Sequence, residues 1–171
     1  LLALRLINES ATELTRSETV RTLLAALTSD IMLEVTVGAI LSIVSYSSLA
    51  TVLLTATLVG SGGVPVTVGL GLVVGANLGS GLLAVITTLR SSVETRQVPL
   101  GNLMFKIIGV LIMAPLATPW LLYARPYVGS DAAMVVLYHL AFNTVMALVC
   151  IGFTKPVARW VERLLPREQV N

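Results

Sequence analysis

Long apolar blocks run through this chain, separated by short polar or glycine-rich stretches, and no charged residue occurs between Glu34 and Arg90. Residues 1–15 read as the tail of one helix, and Ser17 with Glu18 starts a second short helix through Leu27. Thr28-Ser29-Asp30 is an N-cap cluster for a predominantly apolar helix from Ile31 to about Val44, with Glu34 and Thr36 inside it. At 1.5 Å per residue that helix covers about 21 Å, less than the roughly 30 Å hydrocarbon core of a bilayer. It ends where Ser45, Tyr46, Ser47 and Ser48 crowd together. The next apolar arm, Leu49 to Val59, is also too short to cross and ends at the turn signal Gly60-Ser61-Gly62-Gly63-Val64-Pro65. Residues 31–60 are therefore one long helix with a polar patch or two half-helices meeting at the serines. Hydroxyl side chains favour caps over helix interiors, which argues for two halves.

Val66 to Val74 repeats the pattern, followed by Gly75-Ala76-Asn77-Leu78-Gly79-Ser80-Gly81 and a second arm from Leu82 to Leu89. Each glycine weakens a helix by about 1 kcal/mol relative to alanine, so a second backbone break is expected, in a hairpin entering and leaving on one side. The competing use of Gly75 and Gly79, four apart, is close helix packing. Gly69, Gly71 and Gly75 do not make a dinucleotide loop, because their spacing is wrong and no strand precedes them. Arg90 to Gln97 reads as a polar connector, with Pro99 in the first turn of the next helix. Two further spans follow, residues 99–122 and 132–153, joined by a loop from Arg125 to Asp131. Lys106 lies deep in the first; it either snorkels along its own stem or serves a site. His139 and Asn143 sit one turn apart in the second, as packing residues or as ligands. Lys155, Arg159, Arg163 and Arg167 follow on an amphipathic segment with Trp160. Leu103, Phe105, Leu111 and Pro119 recur 37 residues later as Leu140, Phe142, Leu148 and Pro156, which places Lys106 on Asn143.

Composition turns these blocks into membrane segments. Hydrophobic residues make up 56% and charged residues 12%, against about 25% charged in soluble domains, and the mean hydropathy is +0.90. The expected class is an all-α integral membrane protein whose transmembrane helices include two broken or re-entrant helical hairpins. The basic residues after the last span place the C-terminus in the cytoplasm, with Arg90 and Arg96 inside and the Arg125 loop outside, in a cell inner or plasma membrane. A net charge of +2 does not suggest nucleic acid. Cys150 is alone and makes no intrachain disulfide. One histidine, one cysteine and no acid within reach in sequence argue against an enzyme. The chain does not begin with Met, so a longer parent is expected. It divides into interfacial connector helices (1–30), a transmembrane repeat (31–153) and a cytoplasmic amphipathic segment (154–171).

Broken backbone at membrane depth persists only where protein or a watery cavity satisfies it. Half-helix N-termini then direct N–H groups at anions, and freed carbonyls hold cations. Ser47, Ser48 and Thr51 at the start of one half-helix suit a tetrahedral oxyanion, and Gly79, Ser80 and Gly81 suit it from the other hairpin. Asn77 serves either ion. Without a carboxylate near either break, the site fits an anion with a hard monovalent cation better than a divalent metal.

With these motifs in order, the chain resembles the type II sodium/phosphate cotransporter family, in its bacterial branch. That family carries Gln-Ser-Ser-Ser-Ala-Thr followed by Gly-Ala-Asn-Ile-Gly-Thr-Thr in each of two inverted repeats. Tyr46-Ser47-Ser48-Leu49-Ala50-Thr51 falls on the first stretch and Gly75-Ala76-Asn77-Leu78-Gly79-Ser80-Gly81 on the second. The His-x-x-Phe-Asn element matches His139 to Asn143, with a degenerate copy from Asn102 to Lys106. Tyr46, Leu49 and Gly81 depart from the motif. The resemblance implies one half of an inverted-repeat transporter, most naturally the second repeat, moving inorganic phosphate with sodium as coupling ion and no other cofactor. It implies phosphate at Ser47, Ser48, Thr51, Gly79 and Ser80, and sodium at Ser45, Tyr46, Gly75 and Asn77. Lys106, His139 and Asn143 are accessory candidates. Expected partners are the bilayer, the first repeat of the same chain and a PhoU-like cytoplasmic domain. The rivals are a membrane anchor or sensor subunit packed through small residues, a channel-like pore, and an uncoupled phosphate exporter.

Overall fold

The computed structural model describes residues 30–166, together with Leu6, Glu9, Ser17, Glu18 and Thr22. The connector helices expected before Asp30, and Arg167, lie outside the described residues. The described chain is all-α: α1 (Ile31–Val44), α2 (Ser48–Gly60), α3 (Val66–Thr88), α4 (Val93–Ala124), a 3₁₀ turn (Arg125–Tyr127) and α5 (Asp131–Leu164). Three helices, α3, α4 and α5, are long and apolar enough to cross a membrane. At 1.5 Å per residue, α1 and α2 reach only about 20 Å each.

The half-helix alternative for residues 31–60 is the observed one. Asp30 starts α1 by accepting hydrogen bonds from Met32 N and Leu33 N. The helix ends in a Schellman turn: Tyr46 N donates to the Ile43 carbonyl, and Ser47 N to that of Ser42, both at 3.2 Å. Tyr46 takes the left-handed conformation (φ 52°) that this turn requires. Ser47 then caps α2, its Oγ accepting from Ala50 N at 3.1 Å. Two residues, Ser45 and Tyr46, therefore separate the end of one helix from the cap of the next, and the chain doubles back. α2 ends in the same kind of turn, with Gly62 at positive φ and Gly63 N donating to the Leu58 carbonyl at 2.9 Å.

The second expected break is not there. α3 runs unbroken through Gly75-Ala76-Asn77-Leu78-Gly79-Ser80-Gly81. The glycines serve the competing use, close packing. A Cβ on Gly75 would run into the Val35 carbonyl, one on Gly79 into the Ala39 carbonyl, and one on Gly71 into the Glu34 carboxylate; on α1, a Cβ at Gly38 would meet the Leu72 carbonyl. Van der Waals contact between bare backbones replaces the break as the reason for these residues. The order of contacts makes α1 and α3 parallel, because Glu34, Val35, Ala39 and Ser42 meet Gly71, Gly75 and Gly79 in ascending order. Gly69 faces Val59 and Thr55, so α2 descends as α3 rises. The segment from Pro65 to Leu89 is thus one helix long and apolar enough to cross a membrane, not a hairpin. Ile31–Gly60 forms a helical hairpin instead, with both its ends at the α3 start.

Ser92 caps α4, its Oγ accepting from Thr95 N, so the expected polar connector is mostly helical. α4 runs antiparallel to α3, with Leu103 and Lys106 beside Gly81 and Ala117 and Thr118 sharing a cavity with Glu34 and Thr67. Ser130 caps α5, which returns beside α4 and continues through Pro156 without a break. Gly109 lets Phe142 and Met146 approach α4. The Tyr138 hydroxyl donates to the Met113 carbonyl, and its ring lies 5.6 Å from that of Trp120. The core gathers on α3: Leu70, Val73, Val74 and Ala76 are fully enclosed, with Val52 from α2 and Met134 and Val135 from α5 against them.

Candidate functional site

Two polar groups sit at similar depth on different flanks of α3. The first is the hairpin turn. Ser45 Oγ donates to the Ser47 carbonyl at 3.0 Å and lies 3.3 Å from Thr51 Oγ1. The Thr51 hydroxyl also donates to the Ser47 carbonyl at 3.2 Å. Ser47 Oγ is occupied by its cap bond to Ala50 N. Ser48, the first residue of α2, makes no side-chain hydrogen bond among the described residues. Its hydroxyl, with the backbone N–H groups of Ser48 and Leu49 ahead of the first helical bond (Thr51 N to the Ser47 carbonyl), is what this turn offers a ligand. Those groups and the positive end of the α2 dipole favour an anion. Tyr46 is 74% exposed on the outside of the turn.

The second group links α3 to α4 and α5. Asn77, 1% exposed, donates through Nδ2 to the Val73 carbonyl at 3.1 Å and lies 3.2 Å from His139 Nδ1. Asn143 Nδ2 also lies 3.4 Å from His139 Nδ1 and 3.3 Å from its Nε2, so both ring nitrogens face amide groups. Asn143 Nδ2 donates to Asn77 Oδ1 at 3.1 Å and to its own helix's His139 carbonyl at 2.9 Å. On the α4 side, Lys106 Nζ donates to Ser80 Oγ at 2.5 Å, and Ser80 donates to the Asn77 backbone carbonyl at 2.9 Å. A polar path thus runs from Lys106 through Ser80 and Asn77 to Asn143 and His139.

The accessory candidates Lys106, His139 and Asn143 therefore converge on the Gly75–Gly81 motif. The internal repeat gains a physical meaning: Lys106 on α4 and Asn143 on α5, equivalent by the 37-residue spacing, each reach the Asn77–Ser80 turn of α3. The expected grouping of Ser47, Ser48 and Thr51 with Gly79 and Ser80 is not seen as one cluster. Gly79 faces α1, Ser80 faces α4, and no hydrogen bond among the described residues joins the two groups. Because α3 is continuous, the Gly79 and Ser80 N–H groups and the Gly75 carbonyl belong to its helical ladder. What this motif presents to a ligand is side chain, not freed backbone.

Two residues outside the expected set are conspicuous. Ser42 is fully buried on the α1 face that meets Gly79, and its Oγ has no hydrogen-bond partner among the described residues. Its position, three and four residues after Ala39 and Gly38 on one helical face, is the signal that pairs it with the glycine stripe. Glu34 is 6% exposed and lines a cavity of about 410 Å³ with Thr67 and Thr118. It lies 11 residues, about 16 Å of helix, before Ser45. Among the described residues, no group of three or more His, Cys, Asp or Glu side chains is placed to hold a metal ion.

Comparison with known proteins adds a family to this geometry. A sequence model described as Na+/Pi-cotransporter matches residues 1–142. The chain is 41% identical over 168 residues to "Putative inorganic phosphate export protein YjbB" of Salmonella typhimurium and of Escherichia coli K12. Each alignment covers 98% of this chain and 31% of the relative, so the chain spans about a third of those relatives' length. "Uncharacterized protein YqeW" of Bacillus subtilis is 22% identical over 130 residues, 76% of this chain and 42% of that protein. No solved structure matches. The match reaches from before the hairpin to Phe142 in α5, and the chain belongs to the Na+/Pi-cotransporter family.

Proposed function

We propose that this chain is one repeat of a multi-pass membrane carrier for inorganic phosphate. The observation that carries the proposal is the α1–α2 hairpin. It puts a capped helix start, with an unengaged serine hydroxyl and two unengaged N–H groups, inside an apolar segment too short to cross. Lipid cannot satisfy such groups, and a tetrahedral oxyanion can. The family's description and the relatives' name point to phosphate as that oxyanion. Sodium, which the family's description names, is the proposed coupling ion, with Ser45, Tyr46, Gly75 and Asn77 as its candidate residues. Ser45 and Asn77 would exchange internal hydrogen bonds for the ion. The small-residue anchor is the weaker reading, because the glycine face of α3 is already filled by α1 of the same chain.

The test is ³²P-phosphate uptake into proteoliposomes holding the full-length parent, with and without a sodium gradient. Saturable, sodium-dependent counts support both parts of the proposal. Phosphate movement indifferent to sodium keeps the carrier and removes the coupling, and no phosphate movement sinks the carrier. Within that assay Ser48→Ala is expected to cut flux about tenfold, the effect of one lost hydrogen bond to a charged ligand, at unchanged membrane abundance. Ser47→Ala instead removes the α2 cap and lowers stability by about 1 kcal/mol, read as a lower Tm in detergent. Unchanged flux in Ser48→Ala would take the hairpin out of the mechanism.

A further inference from the structure

Lys106 is a charge in the interior of a spanning helix, and its ammonium is turned toward protein. It donates to Ser80 on α3, eight residues short of the α3 end at Thr88, or about 12 Å below it. A snorkelling lysine would direct its head to that end. α3 makes room for the stem: a Cβ on Gly81 would come within 2.9 Å of Lys106 Cδ and 3.1 Å of Leu103 Cδ1. No carboxylate among the described residues pairs with it. Glu34 lies beside Gly71, ten residues or about 15 Å down α3. An ammonium carries three N–H donors, and Ser80 takes one. Two remain, on a half-buried charge with no counter-ion, beside the motif that also holds Asn77. A buried unpaired charge is costly until an opposite charge arrives, and a phosphate oxyanion has that charge and suits those donors.

We propose that Lys106 is an anion-binding cation in the polar group that links α3, α4 and α5, apart from the α1–α2 hairpin: its ammonium, positioned by Ser80 and the gap at Gly81, binds the phosphate oxyanion directly and lowers the dependence of phosphate binding on sodium. The proposal rests on the phosphate reading. A lysine built into the chain does the electrostatic work for which a site lined by neutral oxygens would borrow an ion from solution.

The experiment is equilibrium ³²P-phosphate binding to the full-length protein in detergent, in sodium chloride and in choline chloride at equal ionic strength. The wild type is expected to bind phosphate in choline within about threefold of its affinity in sodium. Lys106→Gln is expected to lose about tenfold or more of the choline affinity, the size of a charge-assisted hydrogen bond, while Lys106→Arg keeps most of it. Equal choline affinity in wild type and Lys106→Gln overturns the proposal. So does a wild type that binds phosphate in sodium but about tenfold or more weakly in choline, a result that needs no variant to fold. Phosphate binding in neither salt is a different failure, that of the phosphate carrier itself.

Discussion

Tyr46 and Gly62 close the same turn in two places. Each sits at the left-handed position of a Schellman turn, with the C″ amide bonded to the carbonyl five residues back. At 62 the residue is glycine, which adopts that conformation freely. At 46 it is tyrosine, which gives up about 1–2 kcal/mol to stand there. Tyr46→Gly is therefore expected to raise the melting temperature of the full-length protein in detergent, through a stability gain of about 1–2 kcal/mol. A lower melting temperature would mean the ring makes contacts outside the described residues that outweigh the strain. The serine cluster was legible because hydroxyls grouped inside an apolar run have few uses other than capping. The role of Gly81 was not legible. Its departure from the family's motif acquires a reason only when the Lys106 stem, 25 residues later, is seen filling the space a side chain would need.

The two breaks expected from local composition came out differently, because helix stability is settled by what packs against it. Three glycines in Gly75–Gly81 argue for an interruption on propensity alone. Gly75 and Gly79 are tolerated because α1 lies close on the face they clear, and the backbone contact outweighs the propensity loss; Gly81 makes room for Lys106 and Leu103 of α4. In Ser45–Ser48 nothing comparable offsets the polar groups, so the helix ends and re-caps. The glycine stripe and its counterpart at Gly38, Ala39 and Ser42 were both present in the sequence, but pairing them needed the parallel register of α1 on α3. Gly75→Ala should destabilise the protein by about 1–3 kcal/mol or more, since its Cβ meets backbone that cannot rotate away. Gly152→Ala, where a new Cβ meets nothing within 4 Å, should be neutral or slightly stabilising by helix propensity. Thermal melts of the two variants in one detergent would separate packing glycines from incidental ones. A Gly75→Ala protein as stable as wild type would mean that α1 and α3 are not held backbone to backbone.

The all-α membrane class and the two later spans followed from composition and block length, but α3 as a third long helix and the side on which the hairpin opens did not, because both depend on whether α3 crosses once or turns back. One unbroken α3 puts Asp30, the Gly60–Pro65 turn and the Arg125–Asp131 loop on one face, and the Leu89–Ser92 turn with the end of α5 on the other. The second face carries Arg90, Arg96, Lys155, Arg159 and Arg163 against Glu94 and Glu162. The first carries Arg125, ion-paired with Asp131, and Asp30. By the positive-inside rule the second face is expected to be cytoplasmic, with the hairpin opening outward. Single cysteines at Asp30, Gly62, Gly129 and Ser91, placed in a background without native cysteines and labelled in intact cells by an impermeant maleimide, test this arrangement. Positions 30, 62 and 129 should label from outside and position 91 only after permeabilisation. If position 30 instead labels with position 91, α1 and α2 form one crossing helix, the turn at Ser45–Ser48 is lost, and the proposed phosphate site loses the groups that define it. If all four keep their grouping with the sides exchanged, the hairpin stands and opens to the cytoplasm.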